Sequence, residues 1–360
     1  MKIKENIHII IIASVGFLVF YSLLAVRPLS QELQLTPQWT TSILHPVTST
    51  VNKTEIQIPF RLGQNMGYFT VNGEISLMES FPFQATISEA YRASYSQDAS
   101  RIPVYEFGTA SNAEYPDFFI EGTGFPFFSE DRVYLFNPGG YGLAQYTKED
   151  GQIWQFEHTA PIVAFNSSPA GTAVGYADGT IYTFSSTGEL VQTFEPGGST
   201  YPIILGIALS SSGGQLACIS GIDQQRFVLT QQRNGVNKVV FHTYLETNQR
   251  EPVLVQFTKD ENHVFYSAGN GLGIVNCFTF ENKVIPVEGT ILAIEECPTN
   301  NITCVLTRDK GRYNIYFIEN RDVLVGHFGF KADAAFIDIQ GGNLYVGRDT
   351  QISKINITRK

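Results

Sequence analysis

Cysteine is the first residue type in this chain whose spacing could indicate chemistry. The four cysteines form neither a Cys-x-x-Cys pair nor a Cys/His spacing typical of a metal site. Cys297 and Cys304 flank a predicted hairpin, so in an oxidising compartment they could face each other and form a disulfide. The alternative is that these two, Cys218 and Cys277 are all small buried strand residues. The sequence predicts no metal site and leaves the Cys297–Cys304 disulfide open.

The carboxylates offer no acid–base pair. Glu149-Asp150 and Glu295-Glu296 are adjacent in the sequence, but consecutive strand residues point to opposite faces. We interpret both pairs as charges on turns and rims. The chain also lacks a GxSxG elbow, a phosphate-binding glycine loop and a calcium-loop carboxylate series. These patterns favour a protein that is not an enzyme, and they predict no cofactor and no catalytic residue.

Aromatic residues are concentrated in the stretch between Phe83 and Gly124. Tyrosine-rich surface on a rigid scaffold is typical of protein interfaces. The alternative is an extra hairpin that packs its own aromatic side chains. We predict that this stretch binds a partner protein through six residues: Tyr91, Tyr95, Tyr105, Tyr115, Phe118 and Phe119.

The elements that must position these residues are short strands joined by tight turns, which recur about every 40 to 47 residues. Asn-Gly and Asp-Gly suit such turns because both central positions favour positive φ. We predict turns at Asn72-Gly73, Asn137 to Gly140, Asp178-Gly179, Ile222 to Gln224, Gly269 to Gly271, Arg308 to Gly311 and Arg348 to Thr350.

Four strands per repeat predict an all-β fold, a seven-bladed β-propeller over residues 56–360, with eight blades as the alternative. The first two turns are separated by about one and a half repeats, which predicts an insertion near residues 84–124. The last repeat stops after its third strand. We therefore expect an upstream segment within Trp39 to Val47 to supply the fourth strand and close the ring.

Two repeats carry a resemblance to a known family. Thr172 to Phe194, and the run from Lys148 to Phe156 with its tryptophan, resemble the repeat of quinoprotein-type (PQQ-like) and WD40-like propellers. Some relatives bind pyrroloquinoline quinone and oxidise alcohols, whereas others, such as the bacterial outer-membrane assembly propeller, are scaffolds without a cofactor. This chain has only two tryptophans, and Gln192 stands where another would be expected. The resemblance therefore implies an envelope scaffold propeller more than a quinone enzyme.

The N-terminus predicts membrane attachment. Ile7 to Val26 is an uncharged run long enough to cross the roughly 30 Å hydrocarbon core as a helix. Lys2 and Lys4 precede it, so we expect residues 1–27 to be a short cytoplasmic segment and a signal anchor in the inner membrane. Residues 28–55 would be a tether, partly closing the propeller, which would lie on the periplasmic or extracytoplasmic side. The competing interpretation is a cleaved signal peptide and a secreted protein.

Charge narrows the class of partner. The formal net charge is −10 at pH 7, which disfavours nucleic acid because that partner would require a basic surface. We therefore predict a membrane-anchored, exported propeller that acts as an interaction scaffold for envelope or membrane proteins. The alternative is an exported enzyme or small-ligand binder with its site at the central channel.

Overall fold

The computed structural model of the protein describes residues 13–21, 32–45, 55–111 and 113–359. Residues 13–21 form a helix. No helix in these ranges is long and apolar enough to cross a membrane. Residues 7–12 and 22–26 of the predicted span Ile7 to Val26 lie outside the described residues. The anchor therefore stays a prediction.

The strands form eight antiparallel sheets, which are the blades of a propeller. In each blade the first strand lies innermost and the later strands follow outward. The strands of blades 1 to 4 are β2 (Gln57–Leu62), β3 (Asn65–Thr70) and β4 (Ile75–Ser80); β5 (Gln84–Ile87), β6 (Tyr91–Tyr95), β7 (Arg101–Glu106) and β8 (Phe118–Glu121); β9 (Phe125–Ser129), β10 (Arg132–Phe136), β11 (Gly142–Thr147) and β12 (Gly151–Glu157); and β13 (Ile162–Ser168), β14 (Gly171–Tyr176), β15 (Ile181–Ser185) and β16 (Leu190–Phe194).

The remaining four blades repeat this order, and a 3₁₀ turn (Pro138–Gly140) lies in blade 3. The strands of blades 5 to 8 are β17 (Ile204–Leu209), β18 (Gln215–Ser220), β19 (Arg226–Arg233) and β20 (Val236–Tyr244); β21 (Val255–Phe257), β22 (His263–Ser267), β23 (Leu272–Asn276) and β24 (Asn282–Ile285); β25 (Thr290–Cys297), β26 (Ile302–Asp309), β27 (Arg312–Glu319) and β28 (Val323–Lys331); and β29 (Ala335–Gln340), β30 (Asn343–Arg348), β31 (Gln351–Arg359) and β1 (Leu33–Ser42).

The predicted count of seven blades is wrong, and the alternative of eight is correct. The seven predicted turns all lie between the second and third strands of their blades. The eighth such turn, residues 96–100, reads Ser-Gln-Asp-Ala-Ser and has no Asx-Gly signal. The expected insertion near 84–124 is therefore a complete blade 2, whose second and third strands share only two paired positions.

Strand β1 closes the ring. It pairs antiparallel with β31 along its whole length, from Leu33 opposite Arg359 to Ser42 opposite Gln351. An upstream closing strand was predicted correctly, but its position within Trp39 to Val47 was set too late in the chain. The propeller therefore begins before residue 56, inside the segment that was expected to be a tether.

The turn at Asp178-Gly179 shows why its residue types recur. Gly179 has φ of +89°, and a Cβ there would lie 2.0 Å from the carbonyl oxygen of Pro202 in the next blade. Only glycine fits both the backbone conformation and this close approach. The turn thus sets the spacing between blades 4 and 5.

Each pair of neighbouring blades buries one apolar cluster. The clusters differ in size: the seam between blades 7 and 8 has twelve buried residues, whereas the seam between blades 1 and 2 has only Met66, Phe81 and Ala85. There the side chain of Arg92 is fully buried. It donates to Glu79 Oε1 at 2.9 Å and to the carbonyl oxygens of Glu106, Thr109 and Ala110. Polar contacts replace apolar ones at this seam.

Ring closure gives a first prediction. Ile43 follows the closing strand and is fully buried between blades 8 and 1, whereas its neighbour Leu44 is 58% exposed. We expect Ile43→Ala to lower the free energy of unfolding by about 2–4 kcal/mol because it leaves a cavity in this seam. Leu44→Ala is the control and should change it by less than about 0.5 kcal/mol. Urea unfolding measures both, and equal effects would contradict the role of this seam.

Candidate binding site between blades 6 and 7

The turns that join first and second strands lie side by side on one face of the ring, which we call the turn face. Three contacts between neighbouring blades establish this arrangement. Ser88 Oγ donates to the carbonyl of Glu130 at 2.7 Å, Ser168 Oγ to the carbonyl of Ser210 at 3.2 Å, and the Lys259 N–H to Glu296 Oε1 at 2.8 Å. Each contact joins the end of one innermost strand to the next blade.

A cavity of about 510 Å³ opens between blades 6 and 7 on this face. Its lining mixes charged, polar and apolar groups. The lining residues are Lys259, Asp260, His263, Glu296, Cys297, Pro298, Asn301, Ile302, Thr303, Asn320 and Arg321.

Arg321 organises this cavity. It lies in the turn between β27 and β28, where Asn320 and Arg321 have φ of +49° and +57°. Its Nη1 donates to Asp260 Oδ2 and its Nη2 to Glu296 Oε2, both at 2.8 Å. One guanidinium group therefore joins the blade 6 turn to the innermost strand of blade 7.

Each carboxylate of this network has further donors. Asp260 Oδ1 accepts from Thr258 Oγ1 at 2.6 Å and from the N–H of Asn262 at 3.1 Å. Burial opposes ionisation of Asp260, but the hydrogen bonds from Thr258 and Arg321 outweigh it and hold the pKa of that carboxyl well below its usual range. The carboxylate therefore stays ionised and keeps Arg321 in place.

His263 lies beside the guanidinium group, with Nδ1 3.4 Å from Arg321 Nη1. Burial and the Arg321 charge lower the pKa of His263. The imidazole is therefore neutral near pH 7 and can both donate and accept hydrogen bonds. The positive charges of Lys259 and Arg321 balance the negative charges of Asp260 and Glu296. The cavity therefore suits a polar partner segment more than a free ion. No group of three or more histidine, cysteine or acidic residues in the described ranges could hold a metal.

A second set of carboxylates, Glu295 and Asp338, lies on β25 and β29, the first strands of blades 7 and 8. Burial, and then the charge of Asp338, raise the pKa of Glu295 to about 7. Burial also raises the pKa of Asp338; the hydrogen bond from Gln340 opposes this effect and the charge of Glu89 adds to it. The interpretation of Glu295-Glu296 as a turn or rim pair is wrong, since both lie in β25. Because consecutive strand residues point to opposite faces, Glu296 lies in the Arg321 network and Glu295 lies on the other face of β25, towards Asp338.

The six predicted partner-binding residues lie in or beside blade 2. Tyr91 packs against Phe118, with ring centroids 5.7 Å apart, and Tyr95 is partly buried. The ring of Tyr105 lies under the Arg92 guanidinium and that of Phe119 under Arg101. Tyr115 is 73% exposed and is the only fully exposed member. The structure does not gather them into one surface, and their role in binding stays a prediction.

All four cysteines are buried free thiols in the structure. Cys297 lies opposite Ile302, and Cys304 lies opposite Glu295. Cys297 and Cys304 are therefore diagonal neighbours on one face, at a typical separation of about 7–8 Å, beyond the usual disulfide range. The structure has the alternative arrangement, in which Cys297 and Cys304 are separate buried thiols. Burial raises the pKa of the Cys304 thiol, which keeps it protonated.

Sequence reasoning missed the Arg321 network. Asp260, Glu296 and Arg321 come from three separate turns or strand ends, and no spacing motif links them. Asparagine at position 320 marks a tight turn, because asparagine tolerates positive φ. It does not indicate where the next side chain, Arg321, points.

Comparison with known proteins supports the fold. A family model described as beta-propeller protein matches residues 1–360. A protein of Treponema pallidum (strain Nichols), described as uncharacterized, is 31% identical over 366 residues, which cover 99% of this chain and 96% of the relative.

Solved structures with the same architecture include BamB from Moraxella catarrhalis, with a TM-score of 0.61 and 12% identity over 90% of this chain and 100% of that chain. The computationally designed Ika8 protein has a TM-score of 0.60 and 14% identity, covering 87% of this chain and 99% of that chain. At these identities the similarity shows the fold alone. The resemblance to PQQ-like and WD40-like propellers is confirmed at that level.

The Arg321 network gives a second prediction. We expect Arg321→Met to lower the free energy of unfolding by about 3 kcal/mol, because Glu296 is left buried without its partner. Adding Glu296→Gln should recover part of that loss. Arg348→Met, at an exposed arginine, is the control. Urea unfolding at pH 7 measures the wild type, both single variants, the double variant and the control, and additive effects of Arg321→Met and Glu296→Gln would show that the two side chains do not interact.

Glu295 gives a third prediction, on pH. Its pKa is about 7 in the folded protein against an ordinary value of 4.5, so the native state holds the proton more tightly than the unfolded chain. Ionisation of Glu295 should therefore lower the free energy of unfolding as the pH rises from about 5 to 8, by up to about 3 kcal/mol. Glu295→Gln should flatten this decline, whereas Glu251→Gln, at an exposed position, should not. Unfolding curves at pH 5 and pH 8 that change equally in both variants would rule out Glu295 as the source.

Proposed function

Because this chain belongs to the family of beta-propeller proteins, we propose that it is an interaction scaffold of the cell envelope whose turn face binds a partner protein. The single observation that carries this proposal is the cavity between blades 6 and 7, with its fixed arrangement of Arg321, Asp260 and Glu296. A preorganised polar site on a rigid ring can bind a partner loop without first paying the entropy of ordering its own side chains.

The position where the N-terminal segment joins the ring supports a membrane partner. Strand β1 begins at Leu33, opposite Arg359, and Arg359 donates to the carbonyl of Asn300 in the blade 7 turn at 2.7 Å. The chain therefore enters the propeller at the turn face. If Ile7 to Val26 is an inner-membrane anchor, this face lies on the membrane side of an exported propeller, where envelope or membrane proteins can reach it. The net charge of −10 fits such a partner better than nucleic acid.

A second candidate function rests on the carboxylates of β25 and β29. Glu295 and Asp338, on the first strands of blades 7 and 8, both have raised pKa values, and the charge of Asp338 contributes to the rise in the pKa of Glu295. A protonated carboxyl beside an ionised one is an arrangement that small-ligand binders and enzymes use. An exported enzyme or small-ligand binder is therefore the alternative.

Site-specific photocrosslinking in native cells tests the scaffold proposal and is the fourth prediction. A photoreactive side chain at Lys259 lines the turn-face cavity, and one at Asp309 lies in the opposite turn of blade 7; both positions are exposed. We expect a discrete adduct with an envelope protein from position 259 and none from position 309. An adduct from position 309 alone, or no adduct from position 259, would contradict a partner on the turn face.

A further inference from the structure

Blade 1 is one strand short. It contains β2, β3 and β4, whereas each of the other seven sheets has four strands. No strand in the described ranges pairs with the outer edge of β4. Within the described part of the chain, nothing occupies the place that a fourth strand fills in the other blades.

The burial of β4 does not by itself mark the missing strand. The third strands of blades 3, 4, 6 and 7 are buried along most of their length, but β7 and β31 each have only two buried residues although a fourth strand pairs with them. In β4 only Ile75 and Leu77 are buried, and Met78, Glu79 and Ser80 are partly or fully exposed. What distinguishes β4 is its pairing: among the described residues no strand pairs with its outer edge.

The hydrogen-bond register identifies those groups. The N–H of Phe81 donates to the carbonyl of Gln64 at 2.9 Å, just beyond the pair of Ser80 and Asn65. Along an antiparallel ladder the backbone groups of alternate residues point to opposite sides. Glu79 and Leu77 therefore point towards β3, and Met78 and Ser80 present their N–H and C=O groups to the open edge.

The edge is also held in a fixed position. Glu79 of β4 accepts a hydrogen bond from the fully buried Arg92 of blade 2. This contact holds β4 in its position beside blade 2. Outer strands of neighbouring blades contact each other elsewhere, as β12 contacts β8 and β16 contacts β20. A strand added to β4 would accordingly lie beside two blades. The fourth strand of blade 7 alternates half-buried and exposed residues over most of its length, and we expect the same of an added strand.

We propose that this edge binds an extended segment of a partner protein, which completes blade 1 as an antiparallel fourth strand. Main-chain hydrogen bonds to Met78 and Ser80 would fix its register, and alternate apolar side chains would pack against the neighbouring blades. Its C-terminal end would lie beside Glu74, and Glu55, which accepts from Asn72, lies at the same end of the blade. Neither acid is in an ion pair with a described residue, so we expect a basic residue at that end of the segment. This surface is separate from the turn-face cavity.

The probe is a synthetic peptide with the sequence of Val323–Lys331, the fourth strand of blade 7, which ends in lysine. Hydrogen exchange of the purified full chain is followed with and without peptide. We expect the amides of Met78 and Ser80 to exchange rapidly in the free protein and to slow by at least about tenfold at saturating peptide. Peptide with N-methyl groups on alternate residues should give no slowing, because it cannot complete the ladder.

Two variants sharpen the test. Ser80→Pro removes an outward N–H at an edge position that tolerates proline, and we expect it to weaken peptide binding about five- to tenfold. Ser80→Ala loses the same side-chain contact with Asn65 and is the matched control, with unchanged affinity expected. Circular dichroism checks that both variants fold, and the N-methylated peptide tests the same hydrogen bonds without any change in the protein.

Three outcomes would overturn the proposal. Peptide that leaves the two amides unprotected does not bind this edge. Protection in the free protein that depends on its concentration would show that a second copy occupies this edge. Protection that is independent of concentration would show that another part of the same chain does.

Discussion

The pairing of β1 with β31 is the contact on which the rest of the ring depends. Each blade buries its apolar faces only against its two neighbours, so an open ring would leave two faces exposed at the ends. β1 completes blade 8, and its Trp39 packs against Tyr345 of that blade and Phe69 of blade 1. The two strands lie at opposite ends of the chain, so their pairing carries the largest loop-closure entropy in the fold. The eight seams are therefore coupled through one non-local ladder.

Most of this architecture could be predicted from the sequence because the turns between strands have recognisable residue types. Glycine at positions such as Gly179 is required by backbone conformation and close packing together, and such requirements are visible in residue types. Blade 2 was not predicted as a separate blade because its central turn has no glycine and its second and third strands pair over only two positions. Its core also contains the buried Arg92, which looks like a surface residue in the sequence. A repeat that is stabilised by polar contacts lacks the apolar pattern by which repeats are recognised.

The candidate site could not be predicted in the same way. Arg321, Asp260 and Glu296 come together only because neighbouring blades place a turn of one beside a strand end of the next. Spacing within a chain predicts contacts inside a hairpin, but contacts between blades depend on the radial angle and the length of each turn. Strand alternation does predict that Glu295 and Glu296 diverge. It does not predict that Glu296 meets an arginine and Glu295 another carboxyl.

The irregular features of the ring are concentrated in blades 1 and 2. The seam between these two blades has the smallest buried cluster, with three residues, whereas the other seam of blade 1, against blade 8, has eight. Arg92 fills that seam, and its bonds to Glu79 and to three carbonyl groups satisfy a buried charge that would otherwise be costly. A directional network of this kind fixes the position of β4 more sharply than apolar packing would. The seam between blades 1 and 2 thus has few apolar contacts, but its hydrogen bonds hold β4 in a fixed register. An edge that is to accept another strand requires such a fixed position.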